Sequence, residues 1–322
     1  MGRENTKCIT SIGGQALVEG ILMRGPKVTE TAVRLSDGTI STKQVATSSM
    51  KDKYPIMGLP IFRGVAAFID SLSIGYKALS YSVEKAGLDE EEEMSKFDKW
   101  VQKTFGDKMM NVIMVISTVI GVLLAIGLFF VLPTFIFNLI RDFGPGVQIE
   151  PWRSVVEGAM RIAIFILYIY LCSRVPDIHR LFQYHGAEHK TIFCYENNEE
   201  LTVENVRRHS RFHPRCGTSF LVIMLLIGIF VGFFIPFGNP FVRTAVKILC
   251  IPLIVGIGYE FIRLCGRTDN TFTHIVSAPG LWVQRLTTQE PDDSMIEVAI
   301  EAMKKVIPEN GEDKIKVLDG EN

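Results

Sequence analysis

The chain has 322 residues, 48% of them hydrophobic and 21% charged, with a mean hydropathy of +0.24, a value that soluble globular domains of this length rarely reach. A formal net charge of −1 excludes a global pull toward nucleic acid or an acidic surface. Cys8, Cys172, Cys194, Cys216, Cys250 and Cys265 are scattered without a C-x-x-C pair, which excludes a disulfide framework in a reducing compartment.

Residues 1–53 read as a small β-rich unit. The segment from Ala16 to Met23 is apolar apart from Glu19 and Gly20, and Gly13-Gly14 ahead of it predicts a tight turn leading into a buried strand. A phosphate cradle there lacks the Lys-Ser/Thr that a P-loop requires. The runs Thr29–Leu35 and Thr39–Ala46 flank Ser36-Asp37-Gly38, a hairpin signal because Gly accepts the positive φ of such turns.

Residues 54–110 follow as a helical segment and an acidic linker. From Pro55 to Val83 the pattern is apolar and helical, but Arg63 and Asp70 interrupt it. It predicts an amphipathic helix lying on a bilayer or packed beneath a helical bundle. Asp89 to Glu93 is a charge run of the kind that marks a solvated linker.

Residues 111–140 and 218–242 contain no Asp, Glu, Lys, Arg or His. A spanning helix needs roughly 20 apolar residues to cross about 30 Å of hydrocarbon, so both runs qualify. Two weaker spans, 154–173 and 242–262, carry ionisable residues near their ends, which are tolerated when they snorkel or face the bundle interior. Transmembrane helices 1 and 2 therefore occupy 111–173, and helices 3 and 4 occupy 218–262.

Lys and Arg distribution sets orientation. Lys96, Lys99, Lys103 and Lys108 precede the first span, only Arg141 and Arg153 follow it, and loop 174–217 holds seven basic residues. Arg243 alone lies in the last short connection, and Arg263 and Arg267 follow the fourth span. This alternation predicts a multi-pass protein of the cell membrane with both termini and loop 174–217 in the cytoplasm. The 263–322 tail then reads as a polar helix near Asp293–Val306 and a polar end.

Five of the six histidines lie between positions 179 and 213. Tyr184 to Lys190 contains H-x-x-E-H, in which His185 and His189 share one helical face and can reach a single ion. Glu188 beside them is the candidate general base of a zinc-type hydrolase. His213-Pro214-Arg215-Cys216 adds an H-x-x-C pair immediately before the third span, and Thr202 is positioned to cap a short helix running through Arg211. Glu260, at the cytoplasmic end of the fourth span, either completes a coordination shell or pairs with Arg263 or Arg215. Cys194 lies on an apolar stretch and reads as packed.

These blocks resemble the YqhQ-like family of bacterial multi-pass membrane proteins, described as predicted metal-dependent enzymes of unknown function. The resemblance rests on Gly13 to Ala16 with Glu19-Gly20 and Met23-Arg24, on Tyr184–Lys190 and His213–Ser219, and on Leu286-Thr287-Thr288 with Glu290-Pro291. It implies a bound metal and carries no substrate.

The expected fold is thus an α-helical membrane protein of about four transmembrane helices, with a β-rich N-terminal unit and a cytoplasmic His-rich loop. The leading functional expectation is a metal-dependent hydrolase at the cytoplasmic face, holding a divalent ion of the zinc type through His185, His189 and either His213 or Glu260. A structural site closed by His185, His189, His213 and Cys216, in a scaffold for other membrane proteins, is the alternative. A transporter is the third, because only Glu157, Arg161, Lys247 and Glu260 offer inward charge. The expected partners are the lipid bilayer and other membrane proteins.

Overall fold

The computed structural model describes residues 8–87, 109–143, 150–316 and 318–319. The acidic run at 89–93 lies outside them. The chain is mostly helical and divides into two compact units: Met1–Leu88 with Ile169–Ile227 and Pro252–Asn322, and Asp89–Tyr168 with Gly228–Ile251.

The first unit begins with strands β1 (Cys8–Thr10), β2 (Gly13–Leu17), β3 (Gly20–Arg24), β4 (Val28–Arg34) and β5 (Ile40–Ala46). β2 to β5 form an antiparallel meander. The β4–β5 hairpin pairs Arg34 with Ile40 around the expected turn, where Gly38 takes φ 85°. The first turn differs from expectation. Gly13 and Gly14 lie within β2, and the chain reverses at Val18-Glu19, where Glu19 takes φ 50°. Polar Glu19 is tied down on arrival, because Arg180 donates two hydrogen bonds to its carboxylate. A short helix α1 (Met50–Lys53) precedes the long α2 (Phe62–Ala86), and Asp70 of α2 accepts from Ser49 and from the Met50 amide. Gly64, Ala66, Ala78 and Ser82 are buried, whereas Phe62, Ile69, Leu72, Tyr76 and Leu79 form an exposed apolar stripe at helical spacing.

The apolar second-unit helices are α3 (Met109–Ile126) and α4 (Leu132–Phe143), joined by a π-helical stretch at Gly127–Val131. Together with α5 (Arg153–Cys172) they supply two helices, Val115–Asp142 and Glu150–Cys172, long and apolar enough to cross a membrane. Val119, Val122, Leu123 and Leu124 are exposed on α3, a surface that suits hydrocarbon rather than water. The third expected span ends early. Helix α8 (Gly217–Gly232) has 16 residues, about 24 Å of rise, because Pro236, Gly238 and Pro240 follow. The fourth is a bent pair, α9 (Pro240–Leu249) and α10 (Ile251–Cys265), broken by 47° where Pro252 opens the second helix.

The remaining helices belong to the first unit: α6 (Pro176–Glu196), α7 (Val203–Arg208), α11 (Thr271–Thr287) and α12 (Asp293–Lys304). Thr202 caps α7 as expected by accepting from the Asn205 amide, although the helix stops at Arg208 rather than Arg211. Two short strand pairs close the chain. β6 (Thr268–Asp269) and β7 (Lys314–Lys316) precede β8 (Leu318–Asp319); β1 pairs with β7, and β6 with β8. The helix expected at Asp293–Val306 is present, but it is not a polar surface helix. Met295, Ile296, Val298, Ala299, Ala302 and Met303 are completely buried against β3, β4 and α6. Alanine and methionine among charged neighbours conceal this face in a simple polarity reading.

Candidate metal centre

Helix α6 is exposed over its first two turns and mostly buried from Tyr184 to Cys194, with His185 and Phe193 half-buried, so the His face packs against protein. Burial is possible because Gly186 lets the segment after α11 lie against the helix. A β-carbon there would come 2.0 Å from the Gln289 carbonyl oxygen, and the Gln289 amide donates to the Phe182 carbonyl at 2.8 Å. Lys190, also buried, donates to the Arg207 carbonyl at 3.1 Å and pairs with Glu290 at 2.8 Å.

Two of the expected ligands and the expected cysteine converge. One ligand atom each from His185, His189 and Cys216 lies within 4.8 Å of the other two. His185 Nε2 is 3.1 Å from Cys216 Sγ, and the two imidazole centroids are 4.4 Å apart. Each ring is anchored by its other nitrogen: His185 Nδ1 donates to the Thr287 carbonyl at 2.8 Å, and His189 Nδ1 to the Arg211 carbonyl at 2.5 Å. A carbonyl only accepts, so Nδ1 carries hydrogen in both rings and Nε2 is the nitrogen that would face an ion, which is how ligating histidines are held. Cys216 lies just before α8, where the Thr218 amide approaches its sulfur at 3.5 Å.

The electrostatics suit a cation. Burial alone pushes the Cys216 thiol up, but the charges of His185 and His189 outweigh it and hold the thiol well below its usual range. His185 is correspondingly pushed up to about 9, because the Cys216 charge and hydrogen bond, with Glu188, override the effect of burial. Glu188 is 5% exposed, and burial raises its carboxyl above the usual range against the pull of both imidazoles. Its carboxylate accepts the Gly14 amide, and a β-carbon on Gly14 would lie 2.8 Å from Glu188 Cγ. Gly14 of β2 thus admits an acid beside two histidines and a thiolate.

The other two expected ligands are engaged elsewhere. His213 is buried and stacks near His189 at 5.4 Å between centroids, but its Nε2 faces Arg215 at 3.3 Å and Glu196 at 3.9 Å. Burial pushes it down to about 4, which keeps it neutral. Gln284 holds its backbone on both sides, accepting from the His213 amide and donating to its carbonyl, each at 2.7 Å. Glu260 pairs with Arg63 of α2 through two hydrogen bonds, with Arg263 farther away at 4.0 Å. The partner is thus Arg63 rather than Arg263 or Arg215, the two expected from the sequence.

A second convergent group among the described residues is Cys194, Glu199 and His209. Burial pushes the Cys194 thiol up to about 11, and the exposed Glu199 pairs with His209 at 3.2 Å. These donors suit an ion less well than a protonated, packed cysteine beside a surface pair. The cysteine side chains described are all free. The anchoring carbonyls of Thr287 and Arg211, and the clamp by Gln284, had no sequence signal beyond the Leu286-Thr287-Thr288 block.

A donor set of two imidazole nitrogens and one thiolate fits zinc, which takes such ligands in three-residue catalytic sites. A family model described as a protein of unknown function (DUF1385) matches residues 59–309. Uncharacterized protein YqhQ of Bacillus subtilis (strain 168) is 36% identical over 296 residues, covering 92% of this chain and 92% of that protein. No solved structure matches. The H-x-x-E-H helix and the His213–Cys216 turn both lie inside the matched region, and the chain belongs to the DUF1385 family of YqhQ-like proteins.

Proposed function

We propose that the protein is a metal-dependent hydrolase of the cell membrane, spanning it four times and working at the cytoplasmic face. The observation that carries this reading is the convergence of His185 Nε2, His189 Nε2 and Cys216 Sγ, with both rings fixed by backbone carbonyls and Glu188 buried alongside. Zinc bound there would supply a Lewis acid and lower the pKa of water. The chain's own contribution is a base held in place. The Gly14 amide orients the Glu188 carboxylate, and burial raises its proton affinity. His213, turned toward Glu196 and Arg215, leaves the set at three protein donors, the number that keeps a position for substrate. Expected metal content is near one equivalent for the purified wild type. His185→Ala should lower affinity on the order of 10²–10³-fold, one ligand's share of a site of this kind. Elemental analysis after dialysis checks it, and equal trace metal in both proteins would remove the reading.

One observation favours a second reading. Cys216 Sγ beside His185 Nε2 at a helix N-terminus is also the geometry of a cysteine nucleophile. That chemistry needs one imidazole, whereas two converge here. Chelation separates them, since a nucleophilic cysteine stays alkylatable and active without metal.

The topology supports the location. The α2 stripe of Phe62, Ile69, Leu72, Tyr76 and Leu79 fits a helix lying in the headgroup region, with the bilayer as its partner. With α8 and the bent α9–α10 pair taken as the third and fourth spans, Lys and Arg alternation supports both termini and loop 174–217 on the inside. A single cysteine at position 200 should resist an impermeant reagent in intact cells, and one at 147 should react. The opposite pattern reverses the topology.

A further inference from the structure

The second unit buries an excess of positive charge. Glu157 of α5, 2% exposed, receives Arg153 Nε at 3.0 Å, Arg243 Nε at 3.1 Å and Lys247 Nζ at 2.6 Å. Arg161, one turn beyond Glu157, is buried within electrostatic range of Glu157, Arg243 and Lys247. Four buried cations therefore share one buried carboxylate. Glu150 reaches Arg153 only at 3.7 Å, is half exposed, and is shared with Arg141. Backbone and side-chain oxygens of Gly232, Ile235, Gly238, Asn138 and Ser154 occupy other guanidinium donors.

Arg161 is the incomplete member. Its Nε donates to the Phe129 carbonyl at 2.8 Å. Four residues on from Phe129 is Pro133, which has no N–H to give that carbonyl in the α-helical pattern. Arg161 Nη2 is buried with no hydrogen-bond partner. Charge of this kind within an apolar helix bundle is costly unless it is partnered and marks an ion or substrate site.

We propose that this cluster of Arg153, Arg161, Arg243 and Lys247 binds a phosphate-type oxyanion, with Arg161 Nη2 as a direct donor. A guanidinium fork matches two phosphate oxygens, and a multiply charged or diester oxyanion offsets the excess that Glu157 leaves. The group is either the headgroup phosphate of an anionic lipid or free phosphate. The site is separate from the His/Cys centre and stands whether or not that centre holds metal.

The test uses full-length protein in nanodiscs of phosphatidylcholine, with or without phosphatidylglycerol, and with or without millimolar inorganic phosphate or matched sodium chloride. Thermal unfolding is read for wild type, Arg161→Gln and Arg161→Lys. The expected result is a wild-type rise on the order of 5 °C at saturation. The rise is kept in part by Arg161→Lys and lost in Arg161→Gln. A rise with phosphatidylglycerol alone identifies the lipid, and a rise with phosphate in phosphatidylcholine discs identifies the free anion. No wild-type rise in either arm, an equal rise with chloride, or an equal rise in Arg161→Gln overturns the proposal. If Arg161→Gln does not fold, the wild-type arms with the chloride comparison decide alone.

Discussion

On the hydrolase reading, Glu188→Gln protein is expected to fold, to bind metal as the wild type does, and to lose function. The substitution preserves size and the hydrogen bond from the Gly14 amide but removes the basic oxygen. Loss of a general base typically costs on the order of 10²–10⁴-fold in rate, so complementation of a deletion strain should fail. If the site were structural, Glu188 would instead help hold the histidines. Loss of such a partner weakens metal affinity roughly 10–100-fold, so occupancy and thermal stability would fall together. Three measurements on one variant therefore separate enzyme from scaffold: metal occupancy, unfolding temperature and complementation. His189→Ala beside it shows what loss of the ion does. A stable, metal-loaded Glu188→Gln protein that complements fully would end the hydrolase reading.

Gly186→Ala is expected to destabilise the first unit by about 3 kcal/mol, the upper range for forcing an atom into a packed site. The new β-carbon would meet the Gln289 carbonyl oxygen at 2.0 Å and Pro291 Cδ at 3.4 Å, and backbone cannot swing aside as a flexible side chain can. Moving that segment breaks the Gln289–Phe182 bond and pulls the Thr287 carbonyl from His185 Nδ1, so metal affinity should drop as well. The gain in helix propensity from Gly to Ala returns only about 1 kcal/mol. A fall in unfolding temperature of roughly 5–10 °C is the expected reading. Gly121→Ala on α3, whose β-carbon would meet nothing within 4 Å, is the comparison and should raise the temperature slightly through helix propensity alone. Equal temperatures for both variants would show that the segment after α11 is not held against α6 as described.

The features readable in the sequence are those whose cause is local. The β4–β5 hairpin follows from Ser36-Asp37-Gly38 between alternating runs, and Gly38 takes the positive φ expected of it. The uncharged run of α3 and the i, i+4 spacing of His185 and His189 follow from helical periodicity. Gly14 reads in the sequence as part of a turn, but its place depends on Glu188, 174 residues away by number, and no local pattern reports that contact. The α12 face was hidden for a related reason, since its alanines and methionines become core only once β3, β4 and α6 surround them.

The sequence by itself determined the family, the helical and apolar character of the chain, the N-terminal β unit and the donor atoms available to an ion. Only the tertiary structure decided which of those donors meet. Cys216 joins His185 and His189, His213 turns to Glu196, and Glu260 is taken by Arg63, 197 residues earlier. It also gathered Glu157, Arg161, Arg243 and Lys247, which look in the sequence like isolated charges at span ends. The physical reason is the range of the forces involved. Periodicity and turn chemistry act over a few residues, whereas burying a charge obliges it to find partners wherever packing brings them.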